Sequence, residues 1–314
     1  MWRRLRLLWI RIEKWSMQIK LPMFDGLSLY DVSSFFFRGI VEGSVTSRAG
    51  SIAYSFFLAL FPGIIFLFTL IPFFPVAGLE DEVFDVFERI LPPDTWEASR
   101  ATIRDVMSNK RGGLLSFGFL LALIFSTNGV NAIIANFNQT VHEIETRNFW
   151  KQQLVSLGLT FVLSINFLLG IVIIIFSADV LNSLLTFFGL GVVSSLAVEL
   201  SRFGLLVSLV FFGIVLLYNY GTARQRHWRF FSPGAILATL LIIISSAGFS
   251  FYVANFSQYN KLYGSIGTLI VILLWIYINA LVLIIGFELN ASIAQVKLKR
   301  EVDKKKLDQY EKLA

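Results

Sequence analysis

Six stretches of this chain are apolar over, or close to, the length a helix needs to cross a lipid bilayer: Ala49 to Phe74, Gly113 to Phe137, Leu154 to Ser177, Phe203 to Tyr218, Pro233 to Val253 and Gly267 to Leu289. A hydrocarbon layer about 30 Å thick takes about 20 helical residues to span. Inside it no water bonds the backbone, so such segments fold as helices that satisfy their own N–H and C=O groups. The fold class expected is all-α, an integral membrane helical bundle with six transmembrane helices. Composition agrees: only 15% of the 314 residues are charged, against about 25% in a soluble domain. No stretch is polar enough to fold separately in water.

A seventh run, Leu181 to Val198, is interrupted by Asn182, Gly189, Gly191, Ser194 and Ser195 and bracketed by Asp179 and Glu199. Charge placement decides between six spans and seven, because cytoplasmic loops carry the excess of Lys and Arg. With six spans, one side holds eight basic residues before Ala49, two in the 137–153 loop, three in the 219–232 loop and seven from Ala291 onward. The other side holds five, one and one, which accounts for all 27. A seventh span would put Arg224, Arg226, Arg229 and the basic tail on the wrong side. Six spans with both termini cytoplasmic is therefore the expectation. Leu181 to Val198 is left as an extension of span three, an interfacial helix or a re-entrant segment. The net charge of +6 is then topological, and no nucleic-acid partner is expected.

The regions flanking the spans have patterns of their own. Trp2, Leu5, Trp9 and Ile12 recur at helical spacing among Arg3, Arg4, Arg6, Arg11 and Lys14, as in an amphipathic helix lying in the membrane interface. A basic tail that merely serves topology is the alternative. The apolar run Leu7 to Ile10 is too short for a cleavable signal, and none is expected. The acidic loop from Pro75 to Gly112 reads as a helical extracytoplasmic cap, with Pro92 and Pro93 between two helical patterns and Asp94 and Glu97 starting the second. The organisation expected is interfacial N-terminal helices over 1–48, a six-span domain over 49–290 with its cap at 75–112, and a basic cytoplasmic tail over 291–314.

Polar side chains inside spans cost free energy to bury, so each marks a candidate site. Asn128, Asn131 and Asn138 share one face of the second span, and Asn166 lies near the middle of the third. Together they form a candidate polar pathway, with interhelical hydrogen bonding as the plainer reading. Glu288 is the one carboxylate within a span or its last turn. If it points inward, Arg48 or Arg229 would pair with it, and with Asn290 and Arg48 it makes a candidate inner gate. Tyr252, Asn255, Tyr259, Asn260, Tyr263 and Gly264 cluster at the outer junction of spans five and six as a candidate outer mouth. Pro62 in the first span predicts a helix kink.

No catalytic residue, metal site or cofactor is expected. The chain has no Cys, its histidines are the distant His142 and His227, and no HExxH, GxSxG, GxxxxGK[ST] or strand-to-helix GxGxxG motif occurs.

Several segments resemble the YihY/BrkB family of bacterial inner-membrane proteins. They are Ala53-Tyr54 through Leu60-Phe61-Pro62, Phe149-Trp150-Lys151, Ser232-Pro233-Gly234-Ala235, the spaced set Tyr252, Asn255, Phe256, Tyr259, Asn260, Tyr263, Gly264 and Gly267, then Leu274-Trp275-Ile276-Tyr277 and Gly286-Phe287-Glu288-Leu289-Asn290. The likeness covers most of residues 35 to 295. It departs at Phe287, where the family pattern has a small residue, and in the N-terminal extension. The resemblance implies a six-span inner-membrane protein whose members carry an old ribonuclease BN label and are associated with movement of lipids or other envelope solutes.

These readings lead to a membrane transporter or lipid-translocating protein, with membrane lipid or a small solute as its partner. The alternative is a non-transporting envelope scaffold that binds proteins through its acidic cap. Ribonuclease activity would need a constellation facing cytosolic RNA, and the inner loops offer only isolated histidines.

Overall fold

The computed structural model describes residues 17–19, 24–70, 84, 96–97, 100–101, 103–105, 112–139, 147–187, 195–223, 229–254 and 257–313. Within its helices, side chains are described except at 67–70, 171–172, 174–198, 254, 257–266, 268, 307 and 310–313. The described elements are helices: α1 (Leu29–Glu42), α2 (Val45–Leu70), α3 (Gly112–Phe137), α4 (Phe149–Phe187), α5 (Ser195–Tyr220), α6 (Pro233–Ala254) and α7 (Ser257–Leu313). All but α1 contain a segment long and apolar enough to cross a membrane, which makes six. The molecule is an all-α helical membrane bundle, as the apolar runs require.

The ambiguous stretch is divided between two helices. Residues 181–187 continue α4, and 195–198 open α5; residues 188–194 lie outside the described residues. The extension of span three is thus the outcome for its first part. Helix α2 runs through Pro62, which is buried, from Val45 to Leu70. The predicted amphipathic helix at residues 2–14 and most of the acidic loop lie outside the described residues, as do His142 and His227.

The chain divides into two compact units. The first comprises residues 1–48, 134–243 and 281–314. In it the first turn of α2, the last residues of α3, the end of α5, the start of α6 and the middle of α7 come together. Residues 213–218 of α5 are buried on every side. Helices α4 and α5 also pack here, with Gly213 lying beside Leu163 and Asn166. Below this cluster, Phe24, Leu27 and Val32 pack with Ile293 and Val296 in a separate apolar core. Asp25 bonds Arg229 and also pairs with Lys297 at 3.5 Å, and Asp31 pairs with Arg300 at 2.9 Å. These contacts place the N-terminal segment and the α7 tail at the same end of the spans.

The second unit comprises residues 49–133 and 244–280. Among its described residues, Phe66 packs with Phe119 at 5.4 Å, Phe249 with Trp275 at 4.8 Å, and the Phe56 ring against Gly129. Trp96 packs on Phe84 at 4.5 Å, with the Arg104 guanidinium over the same Phe84 ring.

Candidate functional site

Helix α1 ends at Gly43, whose N–H bonds the carbonyl of Gly39, and the chain turns through Ser44 at φ 48° into α2. That two-residue turn puts Arg48 on the first turn of α2, aimed back into the first unit. Its Nη1 donates to Oε1 of Glu288 at 2.5 Å and to the carbonyl of Gly43 at 3.3 Å, while Nη2 donates to the carbonyl of Asn136 at 2.5 Å. Arg48 is 7% exposed and Glu288 is wholly buried. Of the two partners named for Glu288, the carboxylate bonds Arg48; Arg229 bonds Asp25 instead.

The guanidinium is held by more than its counter-ion. Two backbone carbonyls, one at the end of α3 and one at the end of α1, would fix it even with Glu288 displaced. The planar fork of Arg suits this arrangement because separate N–H groups reach separate acceptors in one plane. Among the described residues neither Nε of Arg48 nor Oε2 of Glu288 has a partner. A buried ion pair is well compensated only when its remaining donors and acceptors are bonded, so this one is tight but incomplete.

Close backbone contact seats Glu288. A Cβ on Gly234 of α6 would lie 2.0 Å from the carbonyl oxygen of Gly286, and a Cβ on Gly286 would lie 2.5 Å from that of Gly234 and 2.5 Å from the Tyr218 hydroxyl. Only glycine fits at either position, and Ala235 and Ala238 on α6 are wholly buried. Small residues at a crossing let membrane helices approach until their backbones touch. Beside Glu288, the Phe287 ring stacks on Phe137 at 4.4 Å, with Tyr218 edge-on to both. The Tyr218 hydroxyl donates to the carbonyl of Leu283 at 2.7 Å.

The asparagines divide by what they bond. Asn290 accepts from the Gly234 N–H at 2.8 Å and donates to Ser232 Oγ at 3.0 Å, while that hydroxyl accepts from the Ala235 N–H. Ser232 is thus an N-cap for α6, Pro233 occupies the first helical position, and Asn290 clamps both from α7. Asn138 accepts from the Ala223 N–H at 2.8 Å, and Asn219 bonds both backbone groups of Arg229, tying Arg229 to the end of α5. Asn166 is half-buried beside Gly213. In the second unit Asn131 is half-buried and Asn128 is exposed. Asn138 and Asn290 therefore have structural work at helix ends. At the expected outer mouth, Tyr252 is 43% exposed; Asn255 and the side chains of Tyr259, Asn260 and Tyr263 lie outside the described residues, and Gly264 is within α7.

Sequence reasoning passed over three contributors. The carbonyls of Gly43 and Asn136 are backbone groups, which carry no residue signal. Arg147 donates to the carbonyls of Tyr220, Gly221 and Thr222. A cation on the last carbonyls of a helix is a favoured C-terminal cap, and a lone Arg in a loop otherwise dominated by polar residues was the one available hint.

A profile of the family described as "Virulence factor BrkB" matches residues 36–311. The chain belongs to the BrkB family. A Bacillus subtilis (strain 168) protein, YfkH, described as ribonuclease-like, is 34% identical over 253 residues, covering 80% of this chain and 90% of that protein. A UPF0761 membrane protein of Tolumonas auensis is 26% identical over 303 residues, covering 94% of each. The UPF0761 membrane protein PSHAa0171 of Pseudoalteromonas translucida is 26% identical over 267 residues, covering 81% of this chain and 83% of that one. No solved structure matches the chain. Two of the segments that carry the BrkB likeness, Ser232 to Ala235 and Gly286 to Asn290, are the two that touch at the glycine crossing. The Phe287 ring of this BrkB-family chain is accommodated by stacking on Phe137. Among the described residues no group of three or more His, Asp or Glu side chains could hold a metal ion.

Proposed function

We propose that this BrkB-family membrane protein moves a lipid or another envelope solute across the bacterial inner membrane, with Arg48 and Glu288 as a gate at the cytoplasmic end of the spans. The observation that carries the reading is the form of the buried ion pair. The cation is fixed by two backbone carbonyls while its anion holds it through one oxygen, so the bond to Glu288 can open without unseating Arg48. Ionisable groups buried in membrane bundles are costly and typically mark pathways or relays. The basic bias of the end that carries Arg48 supports the cytoplasmic assignment. Asn131 and Asn166, half-buried along their spans, extend the polar path in this reading. Asn128 is its exposed member, Asn138 steadies its inner end, and the cluster from Tyr252 to Gly264 serves as its outer mouth.

Purified protein in liposomes containing a fluorescent phospholipid, with a membrane-impermeant quencher outside, tests this directly. The wild type should expose inner-leaflet probe faster than protein-free vesicles, and Glu288→Gln and Asn131→Ala should change that rate severalfold at equal incorporation. If the wild type moves neither lipid nor any solute that accompanies it from its own membrane, as seen by native mass spectrometry, the assignment fails. If both variants transport normally, the gate and path fail.

A further inference from the structure

Helix α1 has two faces, and among the described residues only one of them is occupied. Val32 and Gly39 are buried and Phe35 half-buried, and this face packs on α7 through Ile293 and Val296, with Lys299 over the Phe35 ring. Ser34, Phe37, Arg38 and Val41 recur at the same helical spacing on the opposite face and are exposed. Two of these are large and apolar: Phe37 is 63% and Val41 79% exposed.

We propose that α1 lies in the surface of the bilayer, with Phe37 and Val41 set among the lipids of the leaflet at which α2 enters. Three observations choose lipid over a protein partner. Val41 stands four residues before Val45, the first residue of the membrane-crossing helix, and only Gly43 and Ser44 separate the two helices. The outer face therefore belongs to a helix that leads directly into a membrane-crossing one. Other span ends in the same unit carry exposed amphipathic aromatics, Trp150 at 77% opening α4 and Tyr220 at 52% closing α5, as in the aromatic belts that mark membrane interfaces. Finally, two apolar side chains flanked by Ser34, Arg38 and Glu42 are too small a patch for a stable protein contact, which takes about 800 Å² per partner. They suit the shallow seat of an interfacial helix. Arg38, exposed beside Phe37 and bonded to Glu42 at 2.8 Å, is placed to reach headgroup phosphates, its stem along the apolar side chains.

The seat also touches the gate: the carbonyl of Gly43, at the end of α1, is one of the groups that hold Arg48. That link concerns the proposed function; the membrane seat does not depend on it.

The chain contains no cysteine, so single replacements carry a label without further engineering. Nitroxides at Phe37→Cys and Val41→Cys in liposomes can be compared with Phe167→Cys, exposed within the α4 span, and Glu301→Cys, exposed on the α7 tail. Collision with oxygen, which concentrates in the bilayer, should exceed collision with a water-soluble nickel chelate at 37 and 41 by severalfold relative to position 301, approaching the ratio at 167. A ratio equal to that at 301 would mean the face is in water and would overturn the proposal. Labels immobilised and closed to both reagents would mean that protein covers the face, which overturns it equally.

Discussion

Nη1 of Arg48 donates to Oε1 of Glu288 at 2.5 Å across 240 residues of sequence, and the guanidinium is anchored as well to carbonyls at the ends of two other helices. Contacts of one residue thus tie α1, α2, α3 and α7 together at one end of the spans.

The pair predicts strongly coupled mutational effects. Removing one member leaves a buried charge without its counter-ion, which costs about 3–5 kcal/mol, whereas replacing both with apolar residues of similar volume is far better tolerated. Arg48→Met and Glu288→Leu should each lower the thermal midpoint of the detergent-solubilised protein markedly. The double variant should recover most of the loss. Additive losses would show that the two residues do not act as a unit.

The glycine crossing predicts a sharper outcome. Overpacking a tight interior costs about 1–3 kcal/mol when side chains can shift, but a Cβ 2.0 Å from a backbone oxygen requires the helices themselves to separate. Gly234→Ala and Gly286→Ala should lose most folded, monodisperse protein on size-exclusion chromatography. Gly50→Ala, where an added Cβ meets nothing within 4 Å, should behave as wild type.

At the start of α6, Asn290→Ala removes the acceptor for the Gly234 N–H and the donor to Ser232. Loss of a cap costs about 1 kcal/mol, so a modest fall in thermal midpoint is expected, with Asn290→Asp recovering the acceptor and not the donor. A collapse as large as that of Gly286→Ala would mean that Asn290 does more than clamp the helix start.

Acid should loosen the N-terminal segment. The hydrogen bond from Arg229 holds the Asp25 carboxyl below its ordinary value of 3.8, with further attraction from Arg229 and Lys297 outweighing burial. A carboxylate whose pKa is lower when folded contributes stability that is full above the ordinary value and disappears as pH falls through the folded one. Proteolysis of the segment before α1 should therefore accelerate as pH drops from about 5 to below 3.8. Asp25→Asn, which keeps tolerance for the positive φ at this position, should be susceptible already at neutral pH and lose that dependence.

The six spans and the presence of one carboxylate, Glu288, at a span end were legible because each depends on local properties. An apolar run of sufficient length must be a helix in lipid, and one carboxylate at a span end stands out among uncharged residues. The weak run at Leu181 to Val198 resisted the same treatment, because hydropathy does not record where one helix stops and the next begins. The asparagines were visible as polar residues, but what each one bonds was not. An amide that clamps a helix start, such as Asn290, has the same letter as one that lines a route, and bonding alone tells them apart.

By itself, then, the sequence determined the class, the number of crossings and the short list from which the partners of Glu288 had to come. Hydrophobicity and charge belong to each residue and survive being read one at a time. The tertiary structure decided that Arg48 rather than Arg229 bonds that carboxylate, that Gly234 and Gly286 meet, and that α1 keeps an apolar face outward. Those outcomes depend on how far each helix is rotated about its axis and where it crosses its neighbour. Both are settled by many contacts at once, including backbone carbonyls that no residue letter distinguishes.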